Sequence, residues 1–139
     1  MNVLDKRRIL VVEDNRDIAE LLVIRLELAG YMTCVARSVD NALAMVFTFK
    51  PSCILLDIGL PDGDGFEVLK ALKTGIKTRD IPVLMLTARQ AMSDIQRALA
   101  LGAADYVAKP FDDQKLLQRV ARLLGLPVPK VRTEKTAYL

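Results

Sequence analysis

The sequence contains no histidine. That absence excludes a Ser-His-Asp triad, a Cys-His dyad, a His-ligated zinc and a phosphohistidine relay within the chain. Cysteine is scarce: Cys34 and Cys53 are the two present, and they form no C-x-x-C motif. In their apolar surroundings they read as buried, reduced thiols. No apolar run approaches the ~18 residues that a membrane span needs, so no membrane association is expected. The amino-terminal MNVLDKRRIL lacks a signal-peptide apolar core and a small-residue cleavage site, and a cytoplasmic location is expected. A large excess of one charge is missing too. The net charge is +3, of which residues 127–139 supply +2 through Lys130, Arg132 and Lys135 against Glu134. The nearly neutral body does not have the charge balance of a nucleic-acid-binding domain.

What is present is a foldable composition. The 139 residues are 52% apolar and 27% charged, enough for one hydrophobic core. Short apolar runs alternate with helical patterns. Ile9–Val12 reads as a strand, followed by Glu13-Asp14-Asn15 and a helix from about Asp17 to Ala29, stopped by Gly30. Met32–Ala36 reads as a second strand, and Ser38 as the N-cap of a helix ending near Phe49, before Pro51. Cys53–Leu56 is a third strand ending at Asp57, and Gly59–Gly65 is a loop by composition. A short helix runs to about Lys73, and Pro82–Leu86 is a fourth strand ending at Thr87. A helix from about Ser93 to Ala100 stops at Gly102. Tyr106–Ala108 is a fifth strand ending at Lys109-Pro110, and a last helix spans about Asp112 to Leu124. Strands that are apolar throughout are buried on both faces. Five such strand–helix units predict a doubly wound parallel sheet. The domain is expected to occupy residues 1–125, with 126–139 as a carboxy-terminal tail or linker.

In an open sheet of this kind, ligands bind beyond the carboxyl ends of the strands. Those ends carry Glu13-Asp14, Asp57, Thr87 and Lys109. Each residue has an ordinary structural reading: a helix cap for Asp14 or Asn15, a turn residue for Asp57, a loop cap for Thr87, a solvated surface charge for Lys109. Together on one rim they make chemical sense. Clustered carboxylates repel unless a cation holds them ionised, and hard oxygen ligands suit Mg²⁺. Lys109 and Thr87 can bind a tetrahedral anion that the metal also touches. One carboxylate can then act as nucleophile toward a phosphoryl group, with no histidine base required.

The combination Val11-Val12-Glu13-Asp14-Asn15, Leu55-Leu56-Asp57-Ile58-Gly59-Leu60-Pro61-Asp62-Gly63-Asp64-Gly65, Leu86-Thr87-Ala88-Arg89 and Gly102–Phe111 resembles the receiver domain of bacterial two-component response regulators. The resemblance covers roughly Arg8 to Leu124. It implies a flavodoxin-like sheet of order 2-1-3-4-5, which puts Cys34 and Cys53 on non-neighbouring strands. It further implies Asp57 as phosphoacceptor, and Mg²⁺ (or Mn²⁺) held by Asp14, Asp57, the Gly59 carbonyl and, through water, Glu13. Thr87 would hydrogen-bond the phosphoryl group, Lys109 would pair with its oxygens, and Tyr106 would be the aromatic switch residue. Lys109–Pro110 is expected to be cis, and Gly59 and Arg89 hold the two positions that tune phosphoryl lifetime in such domains. The surface of the fourth helix, fifth strand and fifth helix would be the readout.

The implied partners are a histidine kinase or phosphotransfer protein, an output domain or partner protein, and a second copy in a phosphorylation-dependent homodimer. No direct nucleic-acid contact is expected. The alternative is the receiver portion of a larger transcriptional regulator whose DNA-binding output domain lies outside this chain. Arg97, Asp105 and Arg119 match part of the charged dimer face of the winged-helix regulators, but Ala100, Ala104 and Lys115 stand where acids are expected; Arg97 and Arg119 otherwise read as solvated. Turnover enzymes fit worse. A haloacid-dehalogenase-type phosphatase wants an Asp where Gly59 stands, and a flavodoxin wants a hydroxyl-rich phosphate loop in place of Glu13-Asp14-Asn15. No Gly-Lys-Ser/Thr follows Gly59–Gly65, so it is no P-loop, and Asp62 and Asp64 lack the remaining ligands of an EF-hand and read as turn residues.

Overall fold

The computed structural model describes residues 7–60, 63–87 and 92–127. Five strands, β1 (Arg8–Val12), β2 (Met32–Ala36), β3 (Cys53–Asp57), β4 (Val83–Thr87) and β5 (Asp105–Ala108), form one sheet. Its order is β2-β1-β3-β4-β5 and every pairing is parallel. The helices are α1 (Arg16–Leu28), α2 (Val39–Phe49), α3 (Gly65–Thr74), α4 (Met92–Ala100) and α5 (Asp113–Leu124).

The burial pattern explains the order. Every residue of β3 and β4 is buried, and β1 is buried after Arg8, so these continuous apolar runs take the central places. β2, more exposed along its length, lies at an edge. Alternate side chains feed two cores. Leu10, Val12, Ile54, Leu56, Val83 and Met85 face α2, α3 and α4. Ile9, Val11, Cys53, Leu55, Leu84 and Leu86 face α1 and α5. Each large apolar side chain so buried contributes about 1.5–3 kcal/mol.

The helix starts follow local chemistry. The side chains of Asn15, Ser38, Asp64 and Asp112 accept hydrogen bonds from the backbone N–H groups of Ile18, Asn41, Phe66 and Lys115. Each such cap is worth about 1 kcal/mol. Asp64, read from sequence as a turn residue, is therefore the cap of α3. Gly30 (φ 98°) and Gly125 (φ 67°) adopt the left-handed conformation that ends α1 and α5.

Element ends differ from the sequence reading by a residue or so, as fraying ends do. The one added feature is in the Gly59–Gly65 segment, where Gly59–Leu60 and Gly63–Asp64 pair as a two-residue antiparallel ladder. Periodicity cannot reveal so short a ladder. Cys34 is half-buried rather than buried, Cys53 is buried, both are free, and they face opposite cores on non-adjacent strands.

Candidate functional site at the carboxyl rim

The parallel register brings the polar strand ends to one edge. Val12 pairs with both Ala36 and Leu56, Asp57 with Leu86, and Thr87 with Ala108. The residues that follow must therefore converge. Glu13 continues β1, its N–H donating to the Ala36 carbonyl at 2.9 Å. The Glu13 side chain is buried at 1% exposure, Asp57 is 8% exposed and Thr87 2% exposed, while Asp14 faces solvent.

Lys109 reaches across the rim. Its N–H donates to the Thr87 carbonyl at 2.8 Å, and its Nζ lies 2.6 Å from Glu13 Oε1 and 3.3 Å from Asp57 Oδ1. The Lys109–Pro110 peptide is cis. Burial pushes the Glu13 carboxyl up to about 7; the hydrogen bond from Lys109 opposes that rise and the Asp57 charge adds to it. The Asn15 N–H donates to Glu13 Oε2 at 3.2 Å, and the Gly59 N–H approaches Asp57 Oδ1 at 3.4 Å.

Glu13, Asp14 and Asp57 each offer one carboxylate oxygen such that the three lie within 4.8 Å of one another. A single ammonium cannot neutralise three carboxylates. The donor set is all oxygen, with an exposed member on the solvent side, so a small hard divalent cation fits it.

Thr87 and Tyr106 share one groove. It has a volume of about 320 Å³ and is bordered further by Met92 and Ile95 of α4 and by Lys115 and Arg119 of α5. Tyr106 is half-buried on β5, opposite Met85. Arg89 and the segments 61–62 and 128–139 lie outside the described residues, so the expectations placed on them have no structural account here.

Two arginines read as solvated have partners. Arg119 Nη1 lies 2.7 Å from Asp105 Oδ1, and the Arg97 guanidinium stacks 4.1 Å from the centre of the Phe66 ring. Asp105 and Arg119, noted as candidates for a dimer face, thus pair within the chain. Sequence reasoning also missed how closely Gly65 approaches the strand that ends in Asp57. Its place in a glycine-rich run was the available signal.

This fold and rim define a class, and the comparisons with known proteins give it a name. A sequence model of the response regulator receiver domain matches residues 9–121, and the chain belongs to that family. Among curated relatives, the phosphate regulon transcriptional regulatory protein PhoB of Escherichia coli (strain K12) is 43% identical over 118 residues, covering 85% of this chain and 52% of that protein. The DNA-binding dual master transcriptional regulator RpaA of Synechocystis is 42% identical over 117 residues, covering 84% of this chain and 48% of that one. The chain thus spans about half the length of these relatives. Among solved structures, the chemotaxis protein CheY4 of Vibrio cholerae superposes with a TM-score of 0.81 at 30% identity, covering 86% of this chain and 99% of that chain. The receiver domain of a histidine kinase from Syntrophus aciditrophicus does so with 0.79 at 35% identity, covering 91% and 97%. Receiver domains are signalling modules, and among the described residues no helix is long and apolar enough to cross a membrane.

Proposed function

We propose that this chain accepts a phosphoryl group on Asp57 from a histidine kinase or phosphotransfer protein and uses it to change its α4–β5–α5 surface. The observation that carries this reading is the Asp57 carboxylate at the end of β3, 3.3 Å from Lys109 Nζ and clustered with Glu13 and Asp14. An Asp57 oxygen attacks phosphorus, forming an O–P bond as the donor's N–P bond breaks. The departing imidazole keeps the electron pair and takes up a proton. Lys109 pairs with the transferred oxygens, and the Thr87 hydroxyl donates to one of them. Asp14, Asp57 and the Gly59 carbonyl would hold Mg²⁺ or Mn²⁺, with Glu13 acting through water. When bound, the ion supplies charge neutralisation between carboxylate and phosphoryl oxygens.

The product adds negative charge at Asp57. Thr87 is drawn toward it, vacating space beside Tyr106 in the groove the two share, and Tyr106 turns inward. Gly59 and Arg89 set the lifetime of the phosphoryl group. The chain turns over nothing beyond its own phosphorylation and dephosphorylation. Its output is a partner protein or domain, or a second copy. That the curated relatives are transcriptional regulators about twice as long favours a second, compatible reading. Residues 1–125 would then be the receiver portion of a DNA-binding regulator, with 126–139 leading toward its output domain.

The test is intact mass after incubation with Mg²⁺ and a small acyl-phosphate donor, on wild type and Asp57→Asn. One phosphoryl group on wild type and none on the variant is the expected result. No adduct on wild type, with no beryllofluoride complex either, would refute the phosphoacceptor reading.

A further inference from the structure

Gly65 opens α3, and its N–H donates to the Ile58 carbonyl at 2.6 Å. Its φ is not in the left-handed region, so the glycine is not there for conformational freedom. It is there for space. A Cβ at this position would overlap the Asp57 carbonyl oxygen and sit 2.6 Å from Ile58 Cα and 2.9 Å from Ile58 O. All three are backbone atoms, so no rotamer change relieves the overlap. On its other side the Asp57 backbone is held in register against Leu86 of β4. The acceptor's backbone is thus gripped between a strand and the first residue of a helix.

We infer that Gly65 is a positioning residue for phosphoryl transfer, seating α3 directly on the Asp57–Ile58 backbone so that the acceptor carboxylate is fixed against Lys109 and the acidic cluster. This rests on the phosphoacceptor reading above. Any side chain at 65 must push the two segments apart by about 1 Å, and a displacement of that size at a reacting group can cost on the order of 10²-fold in rate.

The experiment compares wild type, Gly65→Ala and Gly75→Ala. Gly75 closes the same helix at its far end, where a Cβ would meet Thr78 Oγ1 at 2.5 Å. It therefore disturbs α3 without touching Asp57. The rate constant for phosphorylation by an acyl phosphate is measured at saturating Mg²⁺ and divided by the folded fraction from circular dichroism. Trimethylamine N-oxide restores folding where a variant is partly unfolded. Gly65→Ala is expected to fall by at least about tenfold per folded molecule. Gly75→Ala is expected to stay within about twofold of wild type despite its lower stability, because it is remote from the site. A wild-type rate in folded Gly65→Ala, or equal slowing in both variants, would overturn the inference. A wild-type chain that takes up no phosphoryl group would overturn the phosphoacceptor reading as well, before either variant is compared.

Discussion

Lys109 sits between two carboxylates that would otherwise face each other, with its Nζ 2.6 Å from Glu13 and 3.3 Å from Asp57. Breaking a fully buried ion pair costs roughly 3–5 kcal/mol, and this ammonium keeps some solvent contact. Lys109→Met is therefore expected to lower metal-free stability by about 2 kcal/mol in urea titrations, and to lose phosphorylation as well. An unchanged midpoint would mean that Lys109 does not balance the carboxylates. Cys53 gives a second expectation. Burial pushes its thiol up to about 12 from an ordinary value of 9.0. The folded state thus holds the proton more tightly than the unfolded chain. The stability this gives is complete below pH 9 and is lost as pH rises toward 12. At pH 8, iodoacetamide followed by peptide mass mapping should label Cys34 well before Cys53, which reacts only on unfolding. Equal labelling of both in the folded protein would refute this. At this scale, the sequence exposed Glu13, Asp57, Thr87 and Lys109 because each follows an apolar run. It could not expose the Arg97–Phe66 stack or the approach of Gly65 to Ile58, which exist only once distant segments meet.

Among the helices, α4 is the most weakly anchored, with Ala98 its one buried residue. Met92 is 63% exposed and Leu99 45%. The Arg97 guanidinium over Phe66 ties this helix to α3. Such a stack is worth about 1 kcal/mol near a surface. Arg97→Ala should accordingly speed amide exchange across α4 by about fivefold while leaving β1 and β3 protected. Exchange in α4 that matches wild type would show that the stack anchors nothing. The elements themselves were legible because their signals are local: solid apolar runs for β1, β3 and β4, and caps at Asn15 and Ser38. The small ladder of Gly59–Leu60 with Gly63–Asp64 was not, since two residues carry no period and glycine carries no side-chain preference.

For the molecule as a whole, the cluster of Glu13, Asp14 and Asp57 is a repulsion that folding has to overcome. A ligand that binds only the folded state stabilises it by mass action, about 2.7 kcal/mol at a hundredfold excess over its dissociation constant. Saturating Mg²⁺ should thus raise the thermal midpoint by on the order of 10 °C for a domain of this size. Asp14→Ala should start from a higher metal-free midpoint and gain much less. An identical rise in both proteins would place the ion elsewhere.

Lys109 and Glu13 are 96 residues apart in sequence, yet their side chains touch. Glu13 follows β1 and Lys109 follows β5, so the other four strands lie between them, and four of the five strands end in the site. A polypeptide still emerging from the ribosome would have Asp57 and both neighbouring acids in hand after β3. It would lack the lysine that joins them until β5 slid in beside β4 and delivered it. If Asp57 is the phosphoacceptor, reactivity therefore arrives with the last strand of the sheet, and a chain caught before that point is deaf to the signal.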